Sequence, residues 1–278
     1  MKVITVMNYK GGVGKTATAV NLAYNLSEKG HKTMLIDCDP QGNASFFFGR
    51  YDETKKSLTG VLSKKYTLKS AIRRTKYKDL DIVQADKNLE FVEISGPFEL
   101  KGNLIDLEDS YEFVICDCHP TFDSYTEQAL YAADLCVVPV KLDRNSINGL
   151  TFFDEHFQDV LDYNRNCEYK ILVTMWRKTK ANKEGLMELL RKNQYPMFQS
   201  VIRNSTSVDA STYKRKPLKK VARVVLASRV AQPVQIAQAT PLALPQLLRK
   251  PLLTSSQPKD SLEMLKKHPK IKFMQQGT

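Results

Sequence analysis

Apolar residues in this chain fall into short unbroken runs separated by longer stretches of mixed polarity. Residues 3–7, 33–36, 80–84, 113–116, 135–140 and 171–175 each read as a strand, the last three as strands buried on both faces. Between them the period changes. Residues 17–26 and 147–161 carry helical patterning, and Leu100, Leu104 and Leu107 are spaced for one face of a helix within residues 97–107. Residues 57–74 alternate helical signals with many lysines and predict surface helices, while residues 46–51 form a crowded aromatic patch. Strands alternating with helices at this spacing predict an α/β fold: a mostly parallel sheet flanked by helices on both faces, with right-handed crossovers.

The 278-residue length allows one large domain, or one domain with an appendage, and 42% hydrophobic content is ordinary for a soluble protein. A formal charge of +12 points to a polyanionic partner, nucleic acid or an anionic membrane surface, without choosing between them. No run approaches the ~18 apolar residues of a membrane span, and the N-terminus lacks an export signal, so a cytoplasmic location is expected. Cys38, Cys116, Cys118, Cys136 and Cys167 lie mostly in or beside predicted strands, where a thiol serves as a small hydrophobe.

Residues 8–16, N-Y-K-G-G-V-G-K-T, separate the first strand from the first helix. Gly11, Gly12 and Gly14 let the backbone wrap closely enough for successive N–H groups to face phosphate oxygens, and the helix N-terminus adds partial positive charge. Lys15 then reaches the β- and γ-phosphates and Thr16 offers a hydroxyl to Mg²⁺. Two carboxylates, Asp37 and Asp39, end the second strand, where open α/β sheets bind ligands; either alone also suits a turn cap. Asp117 closes residues 113–116, in the position of a carboxylate that holds Mg²⁺.

The general phosphate-loop pattern has glycine where this chain has Lys10, and K-G-G-V-G-K-T resembles the deviant Walker A motif of the ParA/MinD group of P-loop ATPases. That resemblance implies ATP and Mg²⁺ as cofactors, held by Gly11, Gly12, Val13, Gly14, Lys15, Thr16 and Ala17. It also implies an ATP-dependent homodimer in which Lys10 reaches the partner's nucleotide while Lys15 acts in its own protomer. The segment D-C-D-P-Q-G-N is similar to the group's second acidic motif. By that likeness Asp39 positions the attacking water and Asp37 supports the Mg²⁺ shell or Lys10. At residues 117–120 the chain departs from the group's D-x-P-P, with His119 in place of a proline; His119 suits a γ-phosphate sensor or an ordinary loop histidine. Asp143 and Gly149 resemble the segment before the group's long helix. I-R-N at residues 202–204 resembles I-P-R-N without its proline, making Arg203 and Asn204 candidate adenine contacts.

The likeness runs from residue 1 to about 218, an ATPase domain, and leaves residues 219–278 as a basic, Pro-containing appendage. Residues 210–259 contain no acidic residue, and prolines break the region into short pieces. It reads as irregular or partly disordered, with a family-specific extension or a frameshifted C-terminus as the other readings.

Within the group the leading expectation is a partition ATPase of the ParA type, serving a plasmid, chromosome or mobile element. Such proteins bind double-stranded DNA non-specifically, associate with the nucleoid and are stimulated by a ParB-like centromere-binding partner. Arg203, Lys214, Arg215, Lys216, Lys219, Lys220 and Arg223 form a candidate phosphate-binding stripe, or else a solvated basic loop. With the phosphate loop this close to Met1, no sequence-reading domain is expected ahead of it. The alternative is a MinD-like membrane-positioning ATPase, for which residues 261–267 offer less than two helical turns, too little to hold a membrane.

Overall fold

The computed structural model describes residues 1–192 and 195–221. Seven strands form one sheet: β1 (Lys2–Val6), β2 (Thr33–Cys38), β3 (Arg73–Arg74), β4 (Leu80–Val83), β5 (Phe113–Cys118), β6 (Leu135–Lys141) and β7 (Glu168–Thr174). Their order is β3-β4-β2-β5-β1-β6-β7. Every pairing is parallel except β3 with β4, so the predicted mostly parallel sheet is what the chain forms.

Burial follows the pattern of the runs. Both β2 and β5 are buried at every position, as interior parallel strands covered on two faces must be. Alternation then splits each strand between two layers. Met34, Ile36, Val114, Cys116 and Val138 join a core with Phe153 and Phe157 of α7 (Arg144–Tyr163). Leu35 and Ile115 alternate with these residues and turn to the face covered by Ala19, Val20 and Ala23 of α1 (Lys15–Glu28). All five cysteines are free and buried, which accords with their reading as small hydrophobes.

Several boundaries differ from the sequence-based expectation. The 97–107 helix contracts to α5 (Glu99–Ile105), yet Leu100, Leu104 and Leu107 are all buried as their spacing requires. Residues 57–74 do not form surface helices. They make two short helices, Leu58–Leu62 and Leu68–Ala71, followed by edge strand β3. Leu58, Val61, Leu62, Leu68 and Ala71 are buried, so the lysines that suggested a surface only decorate the outer side. A further difference lies beyond β7. Residues 196–204 run alongside it, Phe198 donating to the Ile171 carbonyl, Ile202 to that of Val173 and Asn204 to that of Trp176, which extends the sheet edge without a regular strand.

Ile115 sits in the most interior strand with no exposed surface. Ile115→Ala is expected to cost about 2–5 kcal/mol, read as a lowered urea midpoint at unchanged slope; a loss below about 1 kcal/mol would mean that this layer can collapse onto the gap.

Candidate nucleotide site

β1 lies between β5 and β6, so the loop that leaves it emerges beside the ends of both neighbours. Buried Asn8 anchors its start: Nδ2 donates to the Pro139 carbonyl at 2.6 Å, and Oδ1 accepts the Lys10 N–H at 2.9 Å. From β7 the Thr174 hydroxyl donates to the Val13 carbonyl at 2.8 Å. Gly12 and Gly14 take φ of +71° and +91°, which a side chain would strain. Gly14 ends the loop directly ahead of α1, and Thr18 donates back to its carbonyl at 2.9 Å. Asn8 and Thr174 escaped the motif reading because neither belongs to the glycine pattern; the available signals were a polar residue directly after the first apolar run and a polar residue interrupting the last.

The acidic residues converge under this loop. Asp37 on β2 and Asp117 on β5 are directly opposed in register, and Val6 of β1 opposes Asp117 from the other side. In-register parallel neighbours share a face, so the two carboxylates lie on one side of the sheet with no exposed surface. Asp37 is already engaged. Its Oδ2 accepts from the Ser45 N–H at 2.7 Å and hydroxyl at 2.6 Å, and its Oδ1 from the Asp39 N–H at 3.2 Å. Those bonds tie β2 to the first turn of α2 (Asn43–Phe47). The turn-cap reading thus holds for Asp37, and also for Asp39, whose Oδ1 accepts the Gln41 N–H at 2.9 Å.

Asp117 is different: neither carboxylate oxygen accepts a hydrogen bond of ordinary geometry, although both are buried. Burial, with the charges of Asp37 and Asp39 adding, raises its pKa well above the carboxylate range, against smaller opposing effects of the Thr16 hydroxyl and Lys15. Asp37 is pushed up to about 7, chiefly by burial, against the hydrogen bonds from Ser45. Lys15 is also buried and its pKa is lowered by desolvation, while Asp117 and Asp39 pull it back up. Its Nζ donates to the Lys10 carbonyl at 3.2 Å, bridging the mouth of the loop. An acidic pocket holding a buried carboxylate without a partner, next to a half-buried threonine hydroxyl, has the donor set of a hard divalent cation.

The remaining candidates fall into three groups. Lys10, Gly11 and Gly12 are exposed, and Ala17 is half-buried on the first turn of α1. Arg203 and Asn204 are exposed at the edge beside Trp176; the preceding Met175 lies 3.8 Å from where a side chain on Gly14 would begin. Lys214, Arg215 and Lys216 are exposed at the end of α9 (Thr206–Lys214), with the Arg215 guanidinium 5.9 Å from the Phe46 ring centre. Lys219 and Lys220 both pair with Glu28 of α1, the latter at 3.8 Å, so the stripe is partly neutralised within the chain. Asp143 caps α7 by accepting the Ser146 N–H, a structural role. Arg223, the 261–267 segment and most of the 219–278 appendage lie outside the described residues.

A strand, a glycine loop closing on a helix, and an acidic residue on the adjacent parallel strand together define a P-loop nucleoside-triphosphatase domain. The AAA domain family model matches residues 1–171. The chain is 32% identical over 224 residues to the cell division protein PomZ of Myxococcus xanthus, covering 76% of this chain and 70% of that one. It is 32% identical over 185 residues to the chromosome partitioning protein ParA of the same organism, covering 63% and 65% respectively. Among solved structures, cobyrinic acid a,c-diamide synthase from Mycobacterium smegmatis with bound ADP and magnesium has a TM-score of 0.70 at 26% identity, covering 82% of this chain and 97% of that one. This chain belongs to the ParA/Soj-type partition ATPases of the deviant Walker A P-loop group.

The carboxylate pair makes a pH-dependent prediction. A raised carboxylate pKa in the folded state means that the native form loses stability as pH rises from about 4, the unfolded value, through the folded value. Without metal, Asp117→Asn should therefore be more stable than the native sequence at pH ~7 by more than about 1 kcal/mol and nearly equal to it at pH ~4. Chemical unfolding at both pH values checks this; a variant less stable at neutral pH would contradict it.

Proposed function

We propose that the protein is a Mg²⁺-dependent ATPase whose nucleotide state controls dimerisation and non-specific binding to double-stranded DNA, in the service of partition. The observation that carries this reading is the unpartnered Asp117 carboxylate buried beside Lys15 and Thr16. In this reading Mg²⁺ is held by Thr16 and Asp117, with Asp37 supporting its shell through the Ser45 network. Once bound, the ion neutralises charge on the transferring phosphoryl group. The ADP and magnesium in the M. smegmatis structure support the same pairing of nucleotide and metal.

The chain's own residues divide the work. Backbone N–H groups of residues 11–17 hold the phosphates at the N-terminus of α1. Lys15 exchanges the Lys10 carbonyl for phosphate oxygens, an exchange favoured because its ammonium is poorly solvated where it stands. Asp39 orients water for slow in-line attack on the γ-phosphate. Arg203 and Asn204, reached from Gly14 through Met175, contact the adenine.

Support for a partner copy comes from the loop's outer side. Lys10 is exposed, and its neighbour Tyr9 is 47% exposed and packs, tilted, against Phe152 with ring centres 4.5 Å apart, Phe152 itself being 37% exposed. An aromatic pair flanking a cation that has no ion-pair partner among the described residues suits a second protomer, whose nucleotide Lys10 would complete. Lys214, Arg215 and Lys216, with Arg203 and Arg223, supply DNA phosphate contacts; Lys219 and Lys220 join only when Glu28 releases them. A ParB-like partner that stimulates hydrolysis and a nucleoid location follow from this reading.

Lys15→Ala should abolish nucleotide binding. Lys10→Ala should spare it and remove ATP-driven dimerisation; a variant that still dimerised would end the trans role. Random duplex DNA, followed by fluorescence anisotropy, should bind with ATP and not with ADP. The five phosphate contacts predict roughly 500-fold weakening between ~50 and ~200 mM salt. Binding indifferent to nucleotide would contradict the switch.

A further inference from the structure

His119 stands on the loop leaving β5, two residues beyond Asp117, and its side chain is 28% exposed. Its Nδ1 lies 2.8 Å from the Thr121 hydroxyl oxygen, and that hydroxyl in turn donates to Asp123 Oδ2. Asp123 is the N-cap of α6 (Ser124–Ala132), its other oxygen accepting the Thr126 N–H at 3.4 Å. Thr121 has one proton and spends it on the carboxylate. Its oxygen must therefore accept from His119, which places the imidazole proton on Nδ1. In that tautomer Nε2 is a lone-pair acceptor, and among the described residues it has no hydrogen-bond partner.

The surroundings of this imidazole belong to the nucleotide site. Tyr125 Oη is 3.5 Å from the same Nδ1; burial and a hydrogen bond to Asp123 raise its pKa, with the Asp39 charge a smaller contribution. Burial raises the thiol pKa of Cys118, the preceding residue, with the Lys15 charge a small opposing effect. A carboxylate–hydroxyl–imidazole relay anchored on a helix cap is a costly way to hold an ordinary loop histidine, because three side chains are fixed to present one acceptor.

We propose that His119 is a positioning residue for hydrolysis: Nε2 accepts a hydrogen bond from the attacking water, and the Asp123–Thr121 relay fixes the ring and tautomer that make this possible. The proposal rests on the ATPase reading above and assigns a role to the residue that replaces a proline of the group's usual motif. In the step itself, the water oxygen bonds to the γ-phosphorus. The bond from that phosphorus to the bridging oxygen breaks with its electron pair going to ADP, and the water proton ends on the released phosphate. The imidazole aligns the water's lone pair and takes up no proton.

The test compares the full-length chain with His119→Ala, His119→Gln and Thr121→Val in ATP turnover, fluorescent-ATP binding and binding of ADP–aluminium fluoride. His119→Ala should lower kcat about 10- to 100-fold while KM and ATP affinity stay within about twofold, and the affinity for ADP–aluminium fluoride should fall with kcat. His119→Gln retains an acceptor and should recover part of the loss. Thr121→Val frees the tautomer and should fall between. An active native enzyme with His119→Ala turning over within about twofold of it would overturn the role, as would parallel loss of nucleotide binding and turnover in both His119 variants. A native chain that binds ATP without hydrolysing it would overturn the ATPase reading and this role together, an outcome told apart by the native protein's own silence.

Discussion

Asp37 and Asp117 face each other across adjacent strands with no contact with solvent, and like charges so placed cannot both ionise cheaply. The rest of the site can be understood as a response to that constraint. Ser45 and the Asp39 N–H satisfy Asp37, at the cost of locking α2 to the sheet, and Lys15 supplies one positive charge from above. Asp117 is left over. A second positive charge, brought from outside, is what the arrangement lacks, and the hydroxyl of Thr16 stands where such an ion would find another oxygen. Binding of metal with nucleotide is then coupled to ionisation of the carboxylates, a direct physical link between occupancy and the rigidity of the elements around the loop.

The same elements explain how a small chemical change travels. Asn8 pins the loop to β6, Thr174 pins it to β7, and Asp37 binds α2. α2 carries Phe46, stacked on Tyr51 at 4.1 Å and lying near Arg215, so the acidic strand end and the basic end of α9 share a neighbour. The Leu218 N–H donates to Asn21 of α1 at 2.8 Å, fastening the basic segment to the helix that begins at the phosphate loop. The bonds of Asn8, Thr174 and Asp37 are short and polar, and each starts from an atom within or beside the site.

Much of this was legible in the chain. Six apolar runs became six strands, and the glycine loop, Asp37 and Asp117 stand where a strand–loop–helix reading puts them, because interior parallel strands impose continuous hydrophobicity and the loop's backbone demands glycine. Edge strand β3 was not legible: Arg73 and Arg74 have no apolar pattern, and the pairing is decided by the neighbouring strand. Nor was the path of residues 196–204, held to β7 by backbone hydrogen bonds that leave no mark on side-chain identity. Lysines misled at residues 57–74, since helices of about one turn bury their leucines while Lys64, Lys65 and Lys69, between and on them, remain in water. The engagement of Lys219 and Lys220 by Glu28 is likewise tertiary, linking positions far apart in the chain.

The most direct test of the central claim is calorimetric titration of ATP into the full-length chain at pH ~7, with and without Mg²⁺, in two buffers of different ionisation heat. Carboxylates whose pKa values are raised in the empty site must release protons when the ion arrives. Tighter binding with Mg²⁺ is expected, accompanied by buffer-dependent heat that reports proton release. Equal affinity with and without Mg²⁺, and heat independent of buffer, would contradict it.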